Sequence, residues 1–250
     1  MTEHLLTAAI GAVVGFASGL FGIGGSLIAT PLLRAIVGLS PFLALASPFP
    51  SIIPSAASGS YVYAKQKLLD MRVAWITLAA GFPSVVIGSY STQLISGNAL
   101  MIVTGIFLVL VGGTFIVRGW LLRADIHEYN PATGRIIIIA IFAGLVAGFL
   151  AIGGGIVFVP AYVRLLRMPL KRAIATSLFC VGCFAIPGTI IHASLGHIDW
   201  VVALIMAVTV IPVSNLGARV AVTLRSQTLE RIYGVFIMSF AIWFIFSQLS

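Results

Sequence analysis

GFASGLFGIGGSLIATP, from Gly15 to Pro31, and GLVAGFLAIGGGIVFVP, from Gly144 to Pro160, match position for position at an offset of 129 residues. Gly15, Gly19, Gly24, Gly25 and Pro31 fall on Gly144, Gly148, Gly153, Gly154 and Pro160. Beyond the motif, Gly59/Gly188, Asp70/Asp199, Pro83/Pro212, Gly88/Gly217 and Gly105/Gly234 keep the register. Oily composition alone aligns Leu with Ile, but not so many Gly, Pro and Asp, whose backbone roles are specific. The chain therefore reads as a duplicated membrane unit: transmembrane repeat 1 over 1–120, a cytoplasmic linker over 121–133 and transmembrane repeat 2 over 134–250.

The solvent follows from composition. With 60% hydrophobic residues, 8% charged residues and a mean hydropathy of +1.15, the sequence lies far from the roughly 25% charge of soluble proteins. Its apolar stretches approach or exceed the roughly 20 residues of a spanning helix and leave no room for a soluble domain. MTEHLLTAAIG lacks a basic n-region and runs on into the glycine motif, so no cleaved signal peptide is expected. The net charge of +8 comes from Lys and Arg flanking apolar segments, which reads as topology determinants and not as a nucleic-acid footprint. Cys180 and Cys183 sit in an apolar run without basic neighbours or metal-ligand partners and read as small packing residues.

Apolar segments fall at 5–21, 25–37, 42–63, 73–95 and 99–118, then at 135–151, 154–166, 172–193, 200–219 and 229–247. Each copy thus opens with a pair of segments broken by glycine, at Gly22-Ile23-Gly24-Gly25 and Gly153-Gly154-Gly155, followed by three spanning helices. Glycine costs about 1 kcal/mol against alanine inside a helix, so such clusters interrupt it. Basic residues bear on whether the chain then crosses or turns back. Lys65, Lys67 and Arg72, Arg118, Arg123 and Arg135, Arg164, Arg167, Lys171 and Arg172, and Arg219, Arg225 and Arg231 mark four loops. If each broken pair is a hairpin, these clusters share one face and only Arg34 is left on the other; eight plain spans split them almost evenly. The hairpin reading is favoured, and it makes the two copies inverted, a construction recurrent in secondary transporters.

A helix N-terminus turned into the membrane offers unpaired N–H groups and a positive dipole end, which bind an anion without formal charge. Gly24, Gly25, Gly153, Gly154 and Gly155 are the candidate backbone donors, and Ser26, Ser47, Ser51, Thr176, Ser177 and Asn215 the candidate side-chain donors. Pro31 and Pro160 are expected to loosen the short helices, and Pro83-Ser84 and Pro212 through Asn215 to break the next pair in mid-span. Packing alone is the competing role for the glycines, since Gly15/Gly19 and Gly144/Gly148 have GxxxG spacing. Hydroxyls inside helices also often bond only to their own turn.

All six acids, Glu3, Asp70, Asp125, Glu128, Asp199 and Glu230, lie at segment ends or in the linker, which argues against a cation path or a carboxylate proton relay. Asp70 and Asp199 are expected to cap the helices that follow them. His192 and His197 flank an outer connection, where histidines more often pack than titrate. No HExxH, GxSxG or buried acid suggests an intramembrane enzyme. A passive anion channel is the alternative to a carrier, because sequence does not show two gates.

The paired motifs GxxxGxxxGIGGSxxxxP and GxxxGxxxIGGGxxxxP, with KRAIATSLF and GHIDW in the second copy, resemble the sulfite exporter TauE/SafE family, also called the toluene sulfonate uptake permease family. The resemblance covers essentially the whole chain. It implies a multi-pass permease of the prokaryotic cytoplasmic membrane for sulfite or a small sulfonate, in either direction. Ser47-Pro48-Phe49-Pro50 departs from the Thr176-Ser177-Leu178-Phe179 run of the second copy, and from the Ser/Thr-Leu run that family members often have in both.

The resulting expectation is an all-α polytopic membrane protein of two inverted repeats. It moves a small sulfur-containing anion, or alternatively a non-sulfur carboxylate, by alternating access. Membrane lipid is its other partner, no nucleic acid, metal or cofactor is expected, and a homodimer is left open.

Overall fold

Glycine sets the first event in each copy. At the two clusters the backbone enters the left-handed region, with φ 85° at Gly25 and 80° at Gly154, which costs an L side chain about 1–2 kcal/mol. The computed structural model describes residues 2–118, 129, 131–229, 231–236 and 239. Most of the expected linker and the end of the expected last segment, with Arg123, Asp125, Glu128 and Glu230, lie outside the described residues.

Every regular element described is helical. The first copy holds α1 (Thr2–Phe21), α2 (Ser26–Leu32) running on as a π turn (Leu33–Val37), α3 (Pro41–Ala46), α4 (Phe49–Lys65), α5 (Met71–Ser91) and α6 (Gly97–Arg118). The second holds α7 (Thr133–Phe149), α8 (Gly155–Leu165), α9 (Leu170–Ser194) and α10 (Trp200–Thr223), with residues 226–229 and 231–236 helical beyond it. Glu3–Phe21, Met71–Leu94, Leu170–Ser194 and Trp200–Thr223 are long and apolar enough to cross a membrane. Large apolar side chains such as Leu94, Ile138 and Leu204 stand exposed, as a lipid-facing surface requires.

Both breaks turn the chain back. A Cβ on Gly25 would meet Val14 and Ser18 of α1, and one on Gly154 would meet Ala143 and Ala147 of α7. Two expectations fail. Pro83 and Pro212 do not break α5 or α10, which run unbroken through them, because a membrane helix tolerates one missing N–H when its neighbours support it. The segment expected at 42–63 is instead divided at Ser47-Pro48, where Pro48 and Pro50 remove two donors within three residues, while proline-free Thr176-Ser177 leaves α9 whole.

The helices interlock across the copies. α5 packs on α7 and α9, and α10 packs on α1 and α4, so each copy lends a long helix to the other. The contacts recur in exchanged pairs. A Cβ on Gly19 would strike the Ser214 carbonyl and one on Gly148 the Val85 carbonyl, positions that correspond at the same offset. A Cβ on Gly15 would come within 2.8 Å of Val210 Cα, and one on Gly144 within 2.7 Å of the Gly81 carbonyl. These four glycines serve close helix packing, the GxxxG role read from their spacing. α4 and α9 cross at the centre, where a Cβ on Gly182 would come within 2.5 Å of Ala56 Cβ.

The aspartates cap as expected. Asp70 Oδ1 accepts from the Val73 amide (3.1 Å), and Asp199 Oδ1 from those of Val201 (2.9 Å) and Val202 (3.1 Å). Their own amides bind across the copies: Asp70 N–H donates to Thr176 Oγ1 (3.0 Å) and Asp199 N–H to Ser47 Oγ (2.8 Å).

Candidate functional site

The two glycine tips meet at the α4/α9 crossing. Gly25 caps α2, its carbonyl accepting from the amides of Ile28 (3.0 Å) and Ala29 (3.2 Å). Gly154 caps α8 in the same way, accepting from Val157 (2.9 Å) and Phe158 (3.0 Å). The preceding amides, Ser26 and Leu27 in α2 and Gly155 and Ile156 in α8, have no hydrogen-bond partner among the described residues. Two N-termini with unpartnered amides thus lie at one place in an apolar interior.

The tips grip each other through backbone carbonyls. Ser26 Oγ donates to the Ala151 carbonyl (2.7 Å), and Ser177 Oγ to the equivalent Gly22 carbonyl (2.9 Å). Gly155, which occupies the place of Ser26, lies against Gly22 and Ile23, where a Cβ would come 2.5 Å from Ile23 Cα. In front of the tips stand Ile52 and Val181, themselves equivalent and both buried. A Cβ on Gly24 would lie 2.5 Å from Val181 Cγ1, and one on Gly153 2.7 Å from Val181 Cγ1 and 3.3 Å from Ile52 Cδ1. One residue along each helix, Ile53 and Gly182 line a cavity of about 160 Å³, where the Ser60 hydroxyl has no partner among the described residues.

Gly24, Gly25, Ser26, Gly153, Gly154, Gly155 and Ser177 are therefore brought together. The other candidates are engaged elsewhere. Ser47 and Thr176 bind the amides of the capping aspartates, Ser51 Oγ donates to the Pro48 carbonyl (2.6 Å), and Asn215 Nδ2 donates to the Ser58 carbonyl (3.3 Å) between α10 and α4.

Sequence reasoning missed two donors. Tyr63 hydroxyl donates to the Gly19 carbonyl (2.7 Å), and His192 Nε2 lies 3.1 Å from the Gly148 carbonyl, which makes Nε2 the protonated nitrogen. The positions correspond at the repeat offset, and each carbonyl belongs to the last turn before a break, although the Gly148 carbonyl also accepts from the Ala151 amide (3.4 Å). The signal was the coincidence of two polar residues at matched positions, hidden because their identities differ. His192 is fully buried, which agrees with the packing role expected of it.

Charge stays away from the tips. Arg172 Nη2 lies 3.2 Å from Asp70 Oδ2, which also accepts from the Tyr129 hydroxyl, and the Arg172 guanidinium sits 5.2 Å from the Tyr129 ring centroid. Burial first, then the hydrogen bond and charge of Asp70, push the Tyr129 hydroxyl above its ordinary range. Among the described residues no group of three His, Cys, Asp or Glu could hold a metal ion. What the tips offer is a set of neutral donors in a dry setting.

A family model described as sulfite exporter TauE/SafE matches residues 7–244. The chain belongs to this family. A probable membrane transporter protein of Xylella fastidiosa is 31% identical to this TauE/SafE chain over 247 residues, covering 96% of it and 94% of the relative. Probable membrane transporter protein YunE of Bacillus subtilis is 24% identical, covering 92% and 93%. Probable membrane transporter protein MJ0441 of Methanocaldococcus jannaschii is 26% identical, covering 84% of each chain. No solved structure matches. Family membership together with four helices able to span among the described residues makes this TauE/SafE protein a multi-pass membrane protein of a transporter family.

Proposed function

We propose that the protein is a secondary transporter of sulfite or a small sulfonate in a prokaryotic cytoplasmic membrane, with the anion bound between the two glycine tips. The observation that carries the reading is the pairing of two helix N-termini, at Ser26-Leu27 and Gly155-Ile156, whose amides have no partner among the described residues. Such ends favour negative charge, and neutral donors in a dry site hold an oxyanion without the desolvation cost of a buried cation. The Ser26 and Ser177 hydroxyls, now on the carbonyls of Ala151 and Gly22, can turn to the anion when the tips part.

The exchanged contacts support two inverted copies about a twofold in the membrane plane, as in many secondary transporters. The moving bodies are then not the sequence copies but the bundles α1, α4, α10 and α5, α7, α9, which meet at the α4/α9 crossing. Rocking one against the other withdraws Ile52 and Val181 from the tips on alternate sides.

Anion flux into proteoliposomes tests this, comparing sulfite, sulfate and a small sulfonate with and without a pH gradient. Saturable flux of one sulfur anion is expected, and none from any of them overturns the substrate class. Gly154→Leu should purify as monodisperse protein without flux; wild-type flux in that variant removes the tips as the site.

A further inference from the structure

Between α6, α7 and α8 runs an open apolar groove of about 500 Å³, lined by Phe107, Ile138, Phe142, Val157, Pro160 and Ala161 among others. Its volume suits a long flexible ligand, and its walls are aliphatic and aromatic. Arginines gather at one end. Arg164 lines the groove itself, Arg135 donates to the carbonyl of the groove residue Leu165 (3.0 Å), and exposed Arg167 lies two residues further on. A carbonyl does not neutralise a guanidinium, so Arg135 keeps its charge for a further ligand.

The first copy supplies a control. Its groove, about 440 Å³ and lined by Val13, Phe16, Leu20, Ile232 and Phe236 among others, shares the equivalent pairs Val13/Phe142 and Phe236/Phe107. At the positions matching Arg135, Arg164 and Arg167 stand Leu6, Ala35 and Gly38. Neighbouring Arg34 turns back onto the Leu39 carbonyl (3.1 Å) of its own turn. Both troughs are apolar, but the α1 trough has one arginine beside its lining, exposed Arg231 next to Ile232, whereas the α6–α7–α8 groove has a cluster.

We propose that the α6–α7–α8 groove binds one anionic phospholipid, an acyl chain lying along Ile138, Phe142 and Val157 and the phosphate held by Arg135 and Arg167. Charge complementarity selects the occupant. A trough without cations takes any acyl chain, whereas basic pockets beside membrane helices retain anionic headgroups. Arginine suits this role, because its fork engages two phosphate oxygens at once.

The test is native mass spectrometry of the full-length protein in detergent, titrated separately with phosphatidylglycerol and phosphatidylcholine of identical acyl chains. Wild-type protein should retain phosphatidylglycerol at least tenfold more tightly. The double variant Arg135→Gln/Arg167→Gln should lose about tenfold to thirtyfold of that affinity and leave phosphatidylcholine binding unchanged. Should the double variant not purify, Arg167→Gln alone, at an exposed position, should lose about fivefold. Val157→Trp should weaken both lipids by filling the trough. Equal retention of the two lipids by wild type, or an unchanged preference in the arginine variants, overturns the proposal. So does displacement of phosphatidylglycerol by excess glycerol phosphate, since the headgroup alone would then account for binding.

Discussion

The carbonyls of Gly19 and Gly148 occupy matching places before the two breaks, yet one receives a tyrosine hydroxyl and the other a histidine imidazole. The same two glycines are kept in both copies, because each lies against a backbone carbonyl of the helix lent by the other copy. What is identical between the copies is what backbone meets directly. What differs is what a side chain reaches across a gap to do, where any donor of suitable length satisfies the freed carbonyl. The basic face extends the contrast: Arg172 of the second copy pairs with Asp70 of the first, and Leu43 stands at the position matching Arg172.

The comparison breaks most severely at the shared glycines. Gly19→Leu or Gly148→Leu should cost about 4 kcal/mol or more, because the colliding atoms are main chain and cannot swing aside. The readout is loss of the monodisperse peak in size exclusion, and a well-folded Gly19→Leu would show that the helices can separate there at little expense. Gly196→Ala, with φ 70° but nothing within 4 Å, should lose only about 1–2 kcal/mol and still purify.

Exchangeable donors predict a smaller effect. Tyr63→Phe should lower stability by about 1–3 kcal/mol through an orphaned Gly19 carbonyl, and His192→Phe by less, because the Gly148 carbonyl keeps the Ala151 amide (3.4 Å), while His192→Tyr should recover part of that loss. Thermal unfolding in detergent measures it, and a His192→Phe cost as large as that of Tyr63→Phe would mean that His192 has a duty beyond the carbonyl. Arg172→Leu, which makes the second copy like the first, should cost less than about 1 kcal/mol, because its side chain is 37% exposed.

The smallest effect concerns pH. His197 stacks on Phe42 with centroids 4.5 Å apart, and burial holds its imidazole below the usual histidine range. The unfolded chain therefore takes up the proton first, so stability is full above about pH 6.5 and falls as pH drops below it. Leu68 stands at the matching position and cannot titrate. His197→Gln should flatten the acid limb of the melting profile, and an unchanged limb would assign the slope to other groups.

Much of the fold was legible because a membrane helix announces itself by hydropathy and length, and a break by clustered glycine. The division at Ser47-Pro48 was present in the sequence as two prolines, but the apolar run around them concealed it. Pro83 and Pro212 misled in the opposite direction, because what a proline does to a helix depends on whether neighbours support the freed carbonyl. Of the candidate donors, glycines and Ser26 gather at the tips, whereas Ser47 and Thr176 look alike in sequence to Ser177 and end on aspartate amides. A hydroxyl's partner lies on another helix, and its sequence position does not say which.

By itself the sequence determined the duplication, the helical class, the two breaks and the capping aspartates, since each rests on composition, spacing or a contact within a few residues. Only the tertiary structure decided that α5 and α10 are exchanged between copies, that Tyr63 and His192 reach the Gly19 and Gly148 carbonyls, and that Arg135 meets Leu165 at the end of one lateral groove. Those outcomes depend on two surfaces fitting at once, and a linear pattern records each surface without its partner.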